Sequence, residues 1–544
     1  MAPSQSTGAR CNRSLKFCGI FLRIQEGGRI WHLRGSCRSL LRDSCTFPGA
    51  GPNRAIHLCY NPCSRIQEII RHKAGVPGLT KLLIRLFFLL PIILLLAGCG
   101  GSSSSTGTKT SGLAYRAFLS NFVGSGVAPA GVYIVNADKD VRPLGLAPIG
   151  AGNTPGIMVV TPNRAQTLVY SGNNLQSSDN QFSIINNAAE SNAAHGTLPG
   201  ATESFVVSPD STTAYVAVPT APVVGQSQGA IEVVSLGSGT ITGEIDIPSV
   251  HYLSISNGGN RILAFSSNSD SNSDSVAVVT PSNLGTQNPV VTYVGGFDRP
   301  VQAFFSSDDT TAYVVNCGAE CGGVQASIQQ LDMTTGMLGS YGAVCATDPT
   351  QGRQCAATVA LLNGSTMYLA GTPYTGGSTG APSFTCSGAQ GETLTCGMLT
   401  IFDLSSMAAT NATPIAITDG YHNRIAMGAN GQLFIGARTC TEIIPPQPPP
   451  PGAEVRGCLS IYNTQNVAVG SIQPGAVVIP PANGEVTGIQ PIAQRTAVYV
   501  VQGGLLNIYD TTIDALEYNP NDPNNPGEIF GLVGYFYDVK TVDF

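Results

Sequence analysis

The chain has 544 residues, of which 11% are charged against about 25% in an ordinary globular protein. Gly (64) and Pro (36) are abundant, a composition that excludes a protein built from long helices. The net charge of −6 hides an asymmetry. Residues 1–98 hold 14 of the 27 Lys and Arg against only Glu26, Asp43 and Glu68, a surplus of +11, and residues 99–544 carry −17 from 13 basic and 30 acidic side chains. An acidic body repels nucleic acid and anionic membrane surfaces, which excludes both as partners of the main domain.

Residues 1–75 are rich in Arg and Cys, hold the single Trp31 and show no clear periodicity. We read them as a disordered upstream extension arising from a start codon placed too early, with translation beginning near Val76 or Leu79; the alternative is a genuine basic extension, disordered and removed with the signal. Residues 76–98 then form an export signal: Lys81 and Arg85 precede an apolar run from Leu86 to Leu96, with small residues after it. Eleven apolar residues interrupted by Pro91 fall short of the ~18–20 that span hydrocarbon. Leu96-Ala97-Gly98-Cys99 resembles the bacterial lipobox, which implies diacylation of the Cys99 thiol and cleavage before it. Two or more acyl chains anchor stably where one does not. Gly100 after the lipid-bearing cysteine, in place of the aspartate that retains enteric lipoproteins at the inner membrane, points to the outer membrane. Residues 99–112 read as a flexible Gly/Ser tether.

From residue 113 to 544 one unit repeats: an apolar strand, a Ser-Pro-Asp type turn, a second strand around Ala-Tyr-Val, and a third strand ending in Asp or Asn. Phe205 to Val218 (FVVSPDSTTAYVAV) and Ala303 to Asn316 (AFFSSDDTTAYVVN) are the clearest copies, with weaker ones from Met158 and Tyr252 and others near Val359, Ile425 and Gly488. Alternating apolar residues between turn residues predict antiparallel, half-buried strands. The anchors Leu168, Tyr215, Leu263, Tyr313, Tyr368, Phe434 and Tyr499 are 47, 48, 50, 55, 66 and 65 residues apart. Four-stranded units at that period predict propeller blades.

The chain resembles the YVTN-type repeat propellers and the related lactonase-type propellers of bacterial envelopes, over nearly all of residues 113–544. The expected fold is therefore an all-β propeller. Seven strand pairs lie in the interior. The amino end adds a second-strand match, Arg116 to Phe122, and a third-strand match from Gly131. The carboxyl end adds a spare first strand, Gly534 to Phe544, which lines up with Gly296 to Ser306. Joined, the two ends complete an eighth four-stranded blade and remove the open sheet edges at the seam. Eight blades are expected, with seven as the alternative.

The body contains eight cysteines besides Cys99, an even number suited to an oxidising compartment. Pairing neighbours in order gives Cys317 with Cys321, Cys345 with Cys355, Cys386 with Cys396 and Cys440 with Cys458. The rival, a metal cluster, is disfavoured because the body has no C-x₂-C and little His; no metal and no cofactor are expected. Three pairs fall between a second and a third strand and one falls between blades, loop types that emerge on one face of a propeller. That face would also carry the run Pro445 to Pro451 and the insertion in the 370s to 390s. Its staples serve either a displayed binding surface or the stabilisation of tolerated insertions.

Of three histidines in the body, His195, His251 and His422, repeat alignment puts His251 and His422 level with Glu203 at the start of the innermost strand, with Arg299 and Arg424 within two residues. Imidazole, carboxylate and guanidinium at a channel mouth can hold an anionic or sugar-like ligand, support acid–base chemistry, or line a wet channel. The last is the plainest reading. Asp270 to Asp274 resembles the opening of a calcium loop but lacks the later Gly and Glu, so a solvated turn is expected. G-x-S-x-G occurs around Ser227 and Ser378 in Gly/Ser-rich loops with no helix to follow, as a nucleophile elbow needs. Asn519 to Gly527 reads as a Pro-stiffened loop. No P-loop or H-E-x-x-H pattern occurs in the body.

Two functions remain open. Scarce catalytic side chains favour a non-enzymatic envelope lipoprotein that binds a protein, glycan or small molecule through its stapled face and touches the membrane through its lipid. The family resemblance implies the alternative, a lactonase-like hydrolase with its site at the channel mouth.

Overall fold

The structure, a computed structural model, describes residues 18–26, 29–37 and 110–544, less 123–127, 173–178, 267–272, 282–289, 346–354, 374–383, 388–392, 412, 441–456, 465–472, 481–483 and 518–531. Two compact units divide the chain, Met1–Ser104 and Ser105–Phe544. In the first, Cys18–Glu26 and Arg29–Cys37 pair as an antiparallel hairpin. The expected export signal, Cys99, the Pro445 to Pro451 run, the Ser378 and Asp270 motifs and the Asn519 loop fall wholly or mainly outside the described residues.

The second unit is a ring of eight antiparallel blades. Blade I is the seam, in which Phe536–Thr541 pairs with Arg116–Asn121 and that strand pairs with Gly131–Asn136. Its outer edge is completed by isolated bridges, Asn136 to Val141 and Val132 to Ile149. Blades II to VIII follow as 155–197, 204–246, 250–295, 300–343, 359–417, 421–478 and 486–516, each a meander whose first strand lies innermost and whose last is the outer edge. The outer strand of blade VI comes in two pieces, Ala408–Ala409 and Ile415–Ile417, both paired to Gly397–Asp403.

Second and third strands are more buried than a half-buried sheet would be. Thr213–Val218 is covered along almost its whole length, whereas the outermost strand Thr240–Asp246 is mostly exposed. The reason is stacking on both faces. Successive side chains of a strand point to opposite sides, so Tyr215 and Ala217 pack against blade IV while Ala214, Val216 and Val218 pack against blade II. The described apolar residues fall into eight such clusters, each between two adjacent blades, including one between VIII and I and one between I and II. Eight interfaces for eight blades means the ring is closed.

The repeat's turn has a specific chemistry. Asp210 Oδ1 accepts hydrogen bonds from Ser208 Oγ (2.5 Å), Thr212 Oγ1 (2.9 Å) and Thr212 N (3.1 Å). Asp308 repeats this with Ser306 and Thr310 at 2.6, 2.9 and 3.1 Å, and these bonds lower its carboxyl to about 2. Ser211 and Asp309 next to them take φ of 62° and 58°.

Ion pairs clamp the seam. Arg116 bonds Asp543 with Nε (3.0 Å) and Glu190 of blade II with a terminal nitrogen (3.0 Å); Arg495 of blade VIII holds both oxygens of Asp140 at 2.6 Å. Glu232 is a buried group without such support. It is 1% exposed, sits opposite Glu244 on the next strand, and its Oε1 has no hydrogen-bond partner among the described residues. Burial first, and the Glu244 charge second, push its carboxyl up to about 7 from an ordinary 4.5. The folded chain therefore holds an extra proton between those values, so stability falls as pH rises from about 4.5 to 7 and is level above. Glu232→Gln should remove that fall: urea unfolding midpoints of variant and parent will be close at pH 4.5 and separate in the variant's favour at pH 8.

Candidate functional site

The innermost strand of a blade is a sheet edge facing the channel, and its outward N–H groups need partners. Side chains of the preceding blade supply them. Met158 N donates to Asp538 Oδ2 (2.9 Å), Leu253 N to Ser204 Oγ (3.0 Å), Ala303 N to Ser254 Oγ (3.1 Å) and Ala360 N to Gln302 Oε1 (3.1 Å). Polar residues on innermost strands thus act first as blade-to-blade ties.

Six innermost strands also carry a bulge near their start, where the pairing register slips. The skipped residue is His251 in blade IV, Val301 in V, Asn423 in VII, Thr487 in VIII and Tyr537 in I. A bulge re-aims the side chains beside it. His422 is therefore not level with His251. It pairs with Ala437 at the ladder position held by Val250 and Val486 in other blades, and its ring is 0% exposed. A Cβ on Gly397 would come within 2.6 Å of that ring.

A cavity of ≈ 200 Å³ opens where the innermost strands of blades III to VII begin. Arg438, ending the second strand of blade VII, reaches Glu203 Oε1 of blade III at 3.0 Å. Those blades are opposite members of an eight-membered ring, so this pair straddles the channel. Glu203 Oε2 is 3.2 Å from His251 Nε2 of blade IV. Burial works against ionisation of Glu203, but His251 and Arg438 outweigh it and hold the carboxyl at about 2. Tyr252 and Tyr421 join their hydroxyls at 3.1 Å, and burial raises both phenols, so they remain protonated donors. Arg424 gives Nε to Thr487 O (2.8 Å) and a terminal nitrogen to Asn423 O (3.0 Å).

Four of the five candidate residues thus divide by register and length. Glu203 and His251 meet directly; Glu203 and Arg424 line the cavity. His422 is packed into the blade body. Arg299, the fifth, lies outside the cavity lining, 3.6 Å from Asp274, and its carbonyl accepts from Cys317 N at the base of a stapled loop. Arg438, Tyr252, Tyr421, Asn423 and Gln302 went unnoticed in the sequence. Arg438 left one signal, a charge closing the apolar second strand LFIGAR.

All four expected disulfides form, with Cα–Cα distances of 5.7, 6.1, 6.1 and 5.5 Å. They belong to blades V to VII, three of the five that line the cavity. The tightest closes the 3-10 turn Gly318–Cys321, which carries Glu320. Thr372 N donates to Glu320 Oε2 at 2.8 Å, and Thr372 Oγ1 to the carbonyl of Gly420, next to Tyr421. Burial pushes the Glu320 carboxyl up to about 8.

The chain is an eight-bladed β-propeller. Its fold is similar to that of dihydro-heme d1 dehydrogenase NirN in complex with DHE, at TM-score 0.51 and 9% identity over 82% of this chain and 78% of that one. It is also similar to hydrazine synthase of Kuenenia stuttgartiensis (0.44, 13%, 69% and 100%) and to the β-propeller domain of Cps50 (Swd1) from Myceliophteria thermophila (0.39, 10%, 65% and 96%). The first likeness, at that identity, is one of fold alone. No family model matches the chain, and no curated protein matches it. The YVTN-type and lactonase-type resemblance is thus one of repeat pattern, which none of these comparisons names.

Placing His422 in the blade body has a measurable consequence. Burial lowers its imidazole to about 4 from 6.5, against the opposing pull of Thr418 and Asp419. The unfolded chain binds that proton first, so stability is retained above about pH 6.5 and lost as pH falls toward 4. In a pH titration followed by NMR, the His422 ring should remain neutral at pH 5.5. A ring that titrates near 6.5 would place it in solvent instead.

Proposed function

We propose that the chain is a lipid-anchored binding protein of the bacterial envelope whose ligand enters the propeller channel on the face carrying the stapled loops. One observation carries the binding reading: five blades converge on one small cavity whose walls hold two guanidinium groups, two phenols and two carboxamides. Both amide atoms of Asn423 and the Nε of Arg438 are buried there with no hydrogen-bond partner among the described residues. Buried polar groups are costly to leave unpaired, and a ligand's own polar atoms would meet that need. The cavity is smaller than the roughly 300–1,000 Å³ of drug-sized sites, so the ligand is small. The lipobox-like Leu96 to Cys99 and the export signal ahead of it support the anchor, and four disulfides in the body accord with an oxidising compartment.

A hydrolase reading finds less support. Glu203 and His251 have the spacing of an acid–base pair, but both carboxylate oxygens are engaged, and a carboxyl held at about 2 is a weak base.

Two measurements test the proposal. Labelling with a radioactive fatty acid in a bacterial host should mark the parent and leave Cys99→Ser unmarked; label in both would remove the anchor. A lactone hydrolysis screen should give no turnover by the purified protein. Turnover abolished by His251→Ala but retained in His422→Ala would favour the hydrolase.

A further inference from the structure

The chemistry of the cavity wall goes further than a generic binding site, because its acceptors and donors are unequally used. On the acceptor side, the oxygens of Glu203 are engaged by Arg438 and His251, Ser204 Oγ by Leu253 N, and Gln302 Oε1 by Ala360 N, while Asn423 Oδ1 is left without a partner among the described residues. On the donor side, among the described residues one terminal nitrogen of Arg424 and the Gln302 amide nitrogen have no partner, and the Asn423 Nδ2 and Arg438 Nε are buried without acceptors. The Tyr252–Tyr421 pair uses one hydroxyl proton and leaves one.

The charge balance runs the same way. Arg424, Arg438 and Glu203 give the lining a net formal charge of +1, inside a body of −17. A locally cationic cleft with low-dielectric walls concentrates anions, and guanidinium groups suit carboxylate and phosphate oxygens.

We infer that the ligand of this cavity is a small oxyanion-bearing molecule, a carboxylate or a phosphate, held by Arg424, Arg438, Asn423 and the amide of Gln302. This rests on the reading of the channel mouth as a binding site and adds the ligand's class to it. The straddling Glu203–Arg438 pair leaves Arg438 with donors to spare, so the anion binds beside Glu203 without displacing it. Arg424 is already oriented by Thr487 and needs no rearrangement.

The test uses isothermal titration of the purified protein with succinate, inorganic phosphate, glucose and putrescine, each into the millimolar range. Succinate or phosphate should bind, and the two arms separate carboxylate from phosphate recognition. Gln302→Glu keeps an oxygen for Ala360 N while replacing the amide donor by a negative charge. It should weaken anion binding by roughly tenfold or more with an unchanged thermal unfolding profile. Arg424→Gln should do the same, and Arg424→Lys should restore part of the loss. Binding of glucose or putrescine that Arg424→Gln abolishes, with none of either anion, would overturn the anion inference and leave the channel reading standing. Anion binding that neither Gln302→Glu nor Arg424→Gln alters would place the site elsewhere and overturn both, as would no binding by any of the four.

Discussion

Face-to-face burial governs this fold. Each blade has two apolar faces because its second and third strands send alternate side chains to either side, and neither face can be left in water. An open stack would expose one face at each end. Closing the ring gives every face a partner, and here closure depends on residues 536–541, which come from the far end of the chain and pair with Arg116–Asn121. Ala117 and Leu119 then pack against blade VIII and Phe118 against blade II. The seam is also where side-chain ion pairs concentrate, through Arg116, Asp543, Glu190, Arg495 and Asp140. They fix register at the one blade whose innermost strand is not joined to the next by a turn.

Ring size in turn makes the cavity. Inner strands that meet around an eight-membered ring leave more space than apolar side chains of ordinary length fill, and long polar ones reach across it. Arg438 and Glu203 do so between opposite blades. Breaking one partner of such a pair leaves an uncompensated buried charge, typically costing about 3–5 kcal/mol, so this strap holds the ring together across the channel. The disulfides lie on the same arc of the ring. Stapling the turn that carries Glu320, whose carboxyl oxygen accepts from Thr372 N, steadies the segment leading to Tyr421. Loops beside the cavity are thus tied to its wall.

What could be read from the sequence follows from what repeats. Strand alternation and the anchor spacing recur in blade after blade, and the Ser-x-Asp-x-Thr turn marks blades III and V, so the propeller is visible, and the leftover strands at the two ends give the eighth blade. The cysteine pairs were legible because each closes a short local loop. The site was only half legible. The turn between the first and second strands is one residue shorter in blade VII than in blade IV, and a repeat alignment without gaps cannot see it; such an alignment sets His422 level with His251 when it belongs with Val250. Arg299 was placed by nearness in the chain, but its side chain turns to Asp274 under a stapled loop. Arg438 was missed because its partner lies 235 positions away, and no periodicity encodes a contact across a ring.

The edge amides explain why the cavity has the polarity it does. Innermost strands have no further strand to pair with, and their N–H groups take acceptors from the neighbouring blade: Ser204, Ser254, Gln302 and Asp538 are all recruited in this way. A side chain such as Gln302 enters the wall with both a carbonyl and an amine, and the backbone claims the carbonyl. Repeated around the ring, that bias spends acceptors on holding the blades together and leaves donors facing inward. Arg424 and Arg438 then add charge to a wall already short of acceptors. A donor-lined channel is in this sense the product of closing a ring of sheets by their inner edges, and the two arginines concentrate that bias on the arc between blades III and VII.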